Sequence, residues 1–229
     1  MSSNKELRQL IFSPMLKADN VIRYSCVYMS RPESLDHHIY EVCLISYVIA
    51  KKLIKHGEVI DVGKTLELGL IHDLEETITA DIPRNTKHFN SSVNNILEDV
   101  ATFAIEKLAI ANEGFEDLPA LWKNAKCGKE GIIIKIVDML TVVRKAALET
   151  EIYGNKEALK VIIELPKHIR HVRDVFVDSL LFDKQESVQY LTLILDQALS
   201  MLSELSNKYQ SYIDTYLIDE SVLSANMTE

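Results

Sequence analysis

Residues 69–83 read GLIHDLEETITADIP: the apolar end of a helix, then His72, Asp73, Glu75, Glu76 and Asp81 in quick succession, then Pro83. Leu66, Leu70 and Leu74 recur at helical spacing and predict one helix from about Val62 to Thr79. On that rod His72 and Glu76 are four apart and Asp73 and Glu76 three apart, so the three polar side chains share one side at the margin of the apolar stripe. An unpaired carboxylate there is costly and demands a partner. A divalent cation is one such partner. The ordinary alternative is a backbone carbonyl for the imidazole and solvent for Glu75 and Glu76.

Two other segments offer further donors. A helix predicted over about Leu35–His56 presents Leu35, Ile39, Val42, Ser46, Ile49 and Leu53 on one face, and His38 falls on its inner side. Asp138 interrupts IIIKIVDMLTVV, residues 132–143, where a lone charge is expensive; Lys135 or Arg144 could pair with it instead of a metal. Two imidazoles and two carboxylates from three helices make the metal reading the leading one. A closed tetrahedral zinc site would leave no room for a substrate, whereas six-coordinate Mn²⁺, Fe²⁺, Co²⁺ or Ni²⁺ keeps two positions open. A water bound to such an ion has its pKa lowered from about 15.7 to about 7, which supplies hydroxide at neutral pH.

The rest of the chain is read as all-α, since Val and Ile recur at spacings of three and four and strand alternation is nearly absent. Helices are expected over Lys5–Lys17, Ser91–Asn112, Ile132–Tyr153 and Ile169–Leu181. VIRYSCVYMSRPES (residues 21–34) is a link, RNTKHFN (84–90) a loop, and GFEDLPALWKNAKCGKEG (114–131) irregular or weakly helical. Asp183 with Glu186 suggests the start of a long last helix whose stripe, Val188, Leu191, Leu195, Ala198, Leu202 and Leu205, docks on the body or on a second subunit. The tail from Asp219 has no periodicity.

Composition narrows the function classes. The 229 residues carry a net charge of −9, against a broad nucleic-acid or anionic-membrane surface, yet compatible with a small phosphorylated ligand met by a metal and a few cations. Three widely spaced cysteines without a CxxC pair indicate neither a disulfide framework nor a thiolate zinc site. The start, MSSNKELRQL, lacks a basic region followed by an apolar core, and GIIIKIVDML is too short and too charged to span a bilayer, so a cytoplasmic protein is expected.

In order, His38, His72-Asp73 and Asp138 resemble the ligand set of the HD-domain metal-dependent phosphohydrolases. ESLDHH (33–38), the HD pair followed by Glu76, ADIPRNTKHFN (80–90) and KIVD (135–138) narrow the resemblance to the bacterial HD-domain 5′-deoxynucleotidases, over about Arg23 to Glu149. The resemblance implies an all-α HD-domain bundle over residues 1–165 with a C-terminal helical extension over 166–229, and a homodimer. It implies hydrolysis of (deoxy)nucleoside 5′-monophosphates with one divalent metal on His38, His72, Asp73 and Asp138. It makes Glu76 the catalytic carboxylate, with Asp73 catalytic as well as a ligand, Arg23 the phosphate-binding arginine, Tyr24 the wall beside the sugar, Asp81 the aspartate near the sugar hydroxyl and Lys87 an added positive charge.

The chain departs from the family at three points: Tyr24 stands for a tryptophan, His37 for an acidic residue before the ligand histidine, and Ala80 for a glycine before Asp81. Two rival readings remain. One is a triphosphohydrolase like small viral enzymes acting on dATP, with Arg84, Lys87, Lys126 and Lys129 as candidates for the outer phosphates; the other is a silent HD module that senses nucleotides.

Overall fold

The computed structural model describes residues 7, 13–87, 89–163, 165–174 and 181–216, with the backbone alone for Arg84, Asn85 and Tyr216. Among them the chain is helical, with a single isolated bridge between Ile22 and Ser34 in place of any strand. The all-α class expected from the periodicity is therefore the observed one. Among the described residues no helix is long and apolar enough to cross a membrane.

Residues 5, 6 and 8–12 of the helix expected over Lys5–Lys17 lie outside the described residues. From Pro14 to Asn20 the chain forms a 3₁₀ helix, started by Pro14 and by Ser13, whose hydroxyl accepts the Met15 N–H. The α-helices follow: α1 Leu35–Lys55, α2 Val62–Ile71, α3 Glu76–Thr79, α4 Arg84–Lys87, α5 Ser91–Ala111, α6 Leu118–Lys123 and α7 Gly128–Ala147. After a π-helical turn, Leu148–Ile152, and a 3₁₀ turn, Lys156–Ala158, come α8 Leu159–Ile162, α9 Leu165–Val172, α10 Gln185–Lys208 and α11 Gln210–Tyr216. Residues 175–180 of the helix expected over Ile169–Leu181 lie outside the described residues, as does the tail from Asp219.

The chain forms two compact units, Met1–Cys26 with Pro32–Lys55 and Val59–Val137, and Val27–Arg31 with His56–Glu58 and Asp138–Glu229. In the first unit the predicted face of α1 is the buried one: Leu35, Val42, Ser46 and Leu53 are wholly enclosed, each leucine contributing about 1.5–3 kcal/mol. Asp61 caps α2 by accepting the Lys64 N–H, and α2 packs against α1. Gly69 permits this approach, because a β-carbon there would stand 2.9 Å from Cys43 Sγ.

One expectation is corrected at the centre of the opening stretch. The helix expected to run from Val62 to Thr79 breaks at His72. Bonds from Leu74 N–H to Ile71 O, Glu76 N–H to Asp73 O and Thr77 N–H to Leu74 O tighten the chain into a turn, and α3 restarts from Glu76. RNTKHFN, expected as a loop, contains the short α4.

The second unit is built around α10, whose Leu191, Leu195, Ala198, Leu202 and Leu205 are buried, so the predicted stripe is a packing seam within the chain. Its N-cap is Lys184, whose N–H donates to Glu58 Oε1 at 2.7 Å, rather than an Asp183–Glu186 box. Glu149, on the π-helical turn, is wholly buried. It accepts N–H groups from Ser30 (2.7 Å), Arg31 (3.0 Å) and the Asn155 side chain (2.8 Å), and pairs with Lys145 at 3.2 Å.

Candidate metal centre and its surroundings

His38 projects from α1 and His72 caps the C-terminal end of α2; both are buried. The His72 ring bonds Gly69 O through Nδ1 at 2.8 Å, so Nδ1 carries the proton and Nε2 offers a lone pair. That Nε2 lies 3.2 Å from His38 Nε2, and Asp73 Oδ2 stands 3.3 Å from the first nitrogen and 3.5 Å from the second. Asp138 completes the group: one donor atom from each of His38, His72, Asp73 and Asp138 lies within 4.8 Å of the others.

Donors sharing a cation at about 2.1 Å stand about 3.0–3.4 Å apart; the separations of 3.2 and 3.3 Å fall in that range and the 3.5 Å one lies just beyond it, so the group suits a common ion. Burial alone would push the Asp73 carboxyl up, but the charges and hydrogen bonds of His72 and His38 hold it well below the usual carboxylate range. The ionised form a metal needs is the one these neighbours favour.

Glu75 and Glu76 have the opposite environment. Burial, then the nearby Asp73 charge, pushes Glu76 up to about 8, against the pull of Lys87 and Arg23. Its Oε1 accepts from Lys87 Nζ at 3.2 Å, while Oε2 is buried without a hydrogen-bond partner. Burial and Asp73 also raise Glu75, to about 7, although it accepts a hydrogen bond from Trp122 at 2.8 Å. Asp73, Glu75 and Glu76 form a second close group of carboxylates. Burial would lower the Lys87 ammonium, but Glu76 and Asp73 raise it overall, so it stays charged.

Arg23 and Tyr24 lie just past the Ile22–Ser34 bridge. The Arg23 N–H donates to Glu33 O at 2.9 Å and its guanidinium to Glu33 Oε1 at 3.0 Å, a buried pair that fixes the fork. The Tyr24 N–H donates to Asp81 Oδ2 at 2.7 Å. Tyr24 and Ala80 are the non-glycine residues with positive φ among those described, both at 61°; the first is the donor of this bond and the second directly precedes its acceptor. Ala80, with ψ of 172°, occupies a region that suits glycine, the residue the resemblance expects there.

His37, the second imidazole beside the proposed ligand, is exposed and turned to Glu41 Oε1 at 3.1 Å. The Arg84 side chain lies outside the described residues, and Lys126 is close enough to Glu75 to lower its pKa. Sequence reasoning missed Glu33 and Trp122. Their signals, an acid ten residues after Arg23 and the one tryptophan of the chain, have no meaning until the fold pairs them.

Residues 11–186 match the family model described as 5′-deoxynucleotidase YfbR-like. The 5′-deoxynucleotidase YfbR of Salmonella paratyphi B is 27% identical over 150 residues, 64% of this chain and 75% of that protein. An HD-domain phosphohydrolase from Listeria innocua superposes with a TM-score of 0.67 at 20% identity, over 90% of this chain and 97% of that one. The cyanophage S-2L HD phosphohydrolase DatZ, solved with dA and one catalytic Zn²⁺ ion, gives 0.56 at 15% identity, over 82% and 95%.

Proposed function

The chain belongs to the YfbR-like 5′-deoxynucleotidase family, a hydrolase family of the HD phosphohydrolase type, and from that premise we propose that it hydrolyses (deoxy)nucleoside 5′-monophosphates to nucleoside and phosphate. The observation that carries the reading is the convergence of His38 Nε2, His72 Nε2, Asp73 Oδ2 and an Asp138 oxygen beside a buried, unpartnered Glu76 oxygen. The four donors would hold the divalent cation, which supplies Lewis-acid polarisation of water and of a phosphate oxygen.

The chain's own groups do the rest. Glu33 pairs with the Arg23 guanidinium, a planar fork of the kind that suits phosphate oxygens. Glu76 Oε2 can take a proton from the attacking water or give one to the departing 5′-oxygen as the bond from phosphorus to that oxygen breaks. A Glu76 pKa above the ordinary glutamate value suits that exchange, and Lys87 orients the carboxylate through Oε1. Tyr24 walls the sugar side, and Asp81, one oxygen committed to the Tyr24 N–H, keeps the other for a sugar hydroxyl.

The same reading takes residues 1–165 as the phosphohydrolase core, 166–229 as its extension, the cytoplasm as its location, a homodimer as its assembly, and Co²⁺, Mn²⁺, Fe²⁺ or Ni²⁺ as the metal. Phosphate release from deoxy- and ribonucleoside mono- and triphosphates, each with Mn²⁺, Co²⁺, Mg²⁺ and chelator, tests it. Orthophosphate from monophosphates that disappears in chelator is expected. Tripolyphosphate from triphosphates alone would move the chain to the triphosphohydrolase reading, and no turnover with any substrate would leave the sensor.

A further inference from the structure

Glu75 sits two residues after Asp73 and one before Glu76, in the turn that interrupts the helical run. That turn is closed on its own side by short-range backbone bonds and by the Thr77 hydroxyl donating to Leu74 O at 2.9 Å. Across the chain, Trp122 reaches it from α6, 47 residues away in sequence, and donates its indole N–H to Glu75 Oε2 at 2.8 Å.

The far end of this bond is stiff. Asn124 N–H closes α6 on Ala120 O and Leu121 O, Ala125 N–H donates to Trp122 O, and the α7 backbone lies against the segment at Gly131. A β-carbon on Gly131 would come within 2.7 Å of Ala125 O. An indole is also a particular choice of donor. It has a fixed direction and no charge, so it holds a carboxylate without cancelling the negative field that the neighbouring donors present to a cation.

We infer that Trp122 is a positioning residue: through Glu75 its indole N–H fixes the turn that carries Asp73 and Glu76. The effect on turnover rests on the nucleotidase reading above, whereas the effect on the cation-binding group does not.

The test compares Trp122→Phe, which keeps the ring and loses the donor, with Glu75→Gln, whose amide oxygen still accepts. Both are made in the full-length protein loaded with Co²⁺. With W122F, kcat is expected to fall about tenfold with KM within twofold of the parent, and the visible Co²⁺ absorption band to shift. E75Q is expected to retain the parent's band and kcat within twofold. In the parent, Co²⁺ loading is expected to quench the emission of the one tryptophan, placed as it is beside the metal-binding turn.

An unchanged band and unchanged kcat in W122F overturn the inference, as does equal damage in E75Q. Should W122F not fold, Glu75→Leu against Glu75→Gln makes the same comparison from the other end of the bond. A parent that hydrolyses no nucleotide defeats the nucleotidase reading alone, and the Co²⁺ band still decides for or against the Trp122 role.

Discussion

Glu76 in the first unit and Glu149 in the second are almost equally withdrawn from water, 4% and 0% exposed, yet their surroundings are opposed. Glu149 fills its acceptor capacity with two backbone N–H groups, an amide and a lysine. Burial would raise its pKa, but these donors, Asn155 first, bring it down to about 2. Glu76 has one lysine, a bare oxygen and the Asp73 charge beside it, and stands at about 8. A carboxylate that only holds the fold together is saturated. One left short of donors, among other acids, has the environment that a proton-exchanging group requires, which is the pattern expected where chemistry rather than stability sets the surroundings.

The sharpest way to break this contrast is Glu76→Gln. Turnover is expected to drop by about 10²–10⁴-fold, with metal affinity retained and thermal stability equal to or above the parent's. If E76Q instead unfolds the protein at unchanged specific activity, Glu76 is structural and the contrast is gone.

Next in size is Glu149→Ala, which takes the counter-charge from buried Lys145, leaving it only the Arg31 carbonyl, and strips the N–H groups of Ser30 and Arg31 of their acceptor. A loss of about 3–5 kcal/mol in urea unfolding is expected. A loss below about 1 kcal/mol would show that the saturated acid is dispensable.

The smallest effect is in the pH dependence of the metal-free protein. A glutamate raised to about 8 keeps its proton in the folded chain where the unfolded chain, near 4.5, has released it, so Glu76 withdraws stability as pH climbs from about 4.5 to about 8. Glu149, lowered to about 2, acts in the other sense: its contribution is complete above about 4.5 and fades as pH falls toward 2. Urea midpoints at pH 5, 6.5 and 8 are expected to decline in the parent, and to decline less in E76Q. Equal slopes in the two would place the Glu76 pKa near its ordinary value.

Much of this architecture was legible beforehand. The buried face of α1 is the one its spacing predicts, and the α10 stripe is the seam it promised. The four donors drawn from three predicted helices do come together. What stayed hidden was whatever depends on a partner far along the chain. Nothing in LEETIT announces a break after Ile71, since its residues continue the helical pattern; the turn appears only in the bonds that close it. Glu149 reads as the polar end of an apolar helix until Ser30, Arg31 and Asn155 are seen to converge on it. Arg23 is picked out by the resemblance, but its pairing with Glu33 shows only in the fold.

The spacing of His38 and His72 finally goes back to something residue 69 does not possess. With Cys43 Sγ 2.9 Å from the point where a methyl group would begin, the two helices touch nearly backbone to side chain, and the imidazoles they carry are drawn together accordingly. The jaw width of the site is thus a property of helix contact as well as of ligand identity. The range of ionic radii that His38 and His72 would accept is set in part from a position outside the donor group.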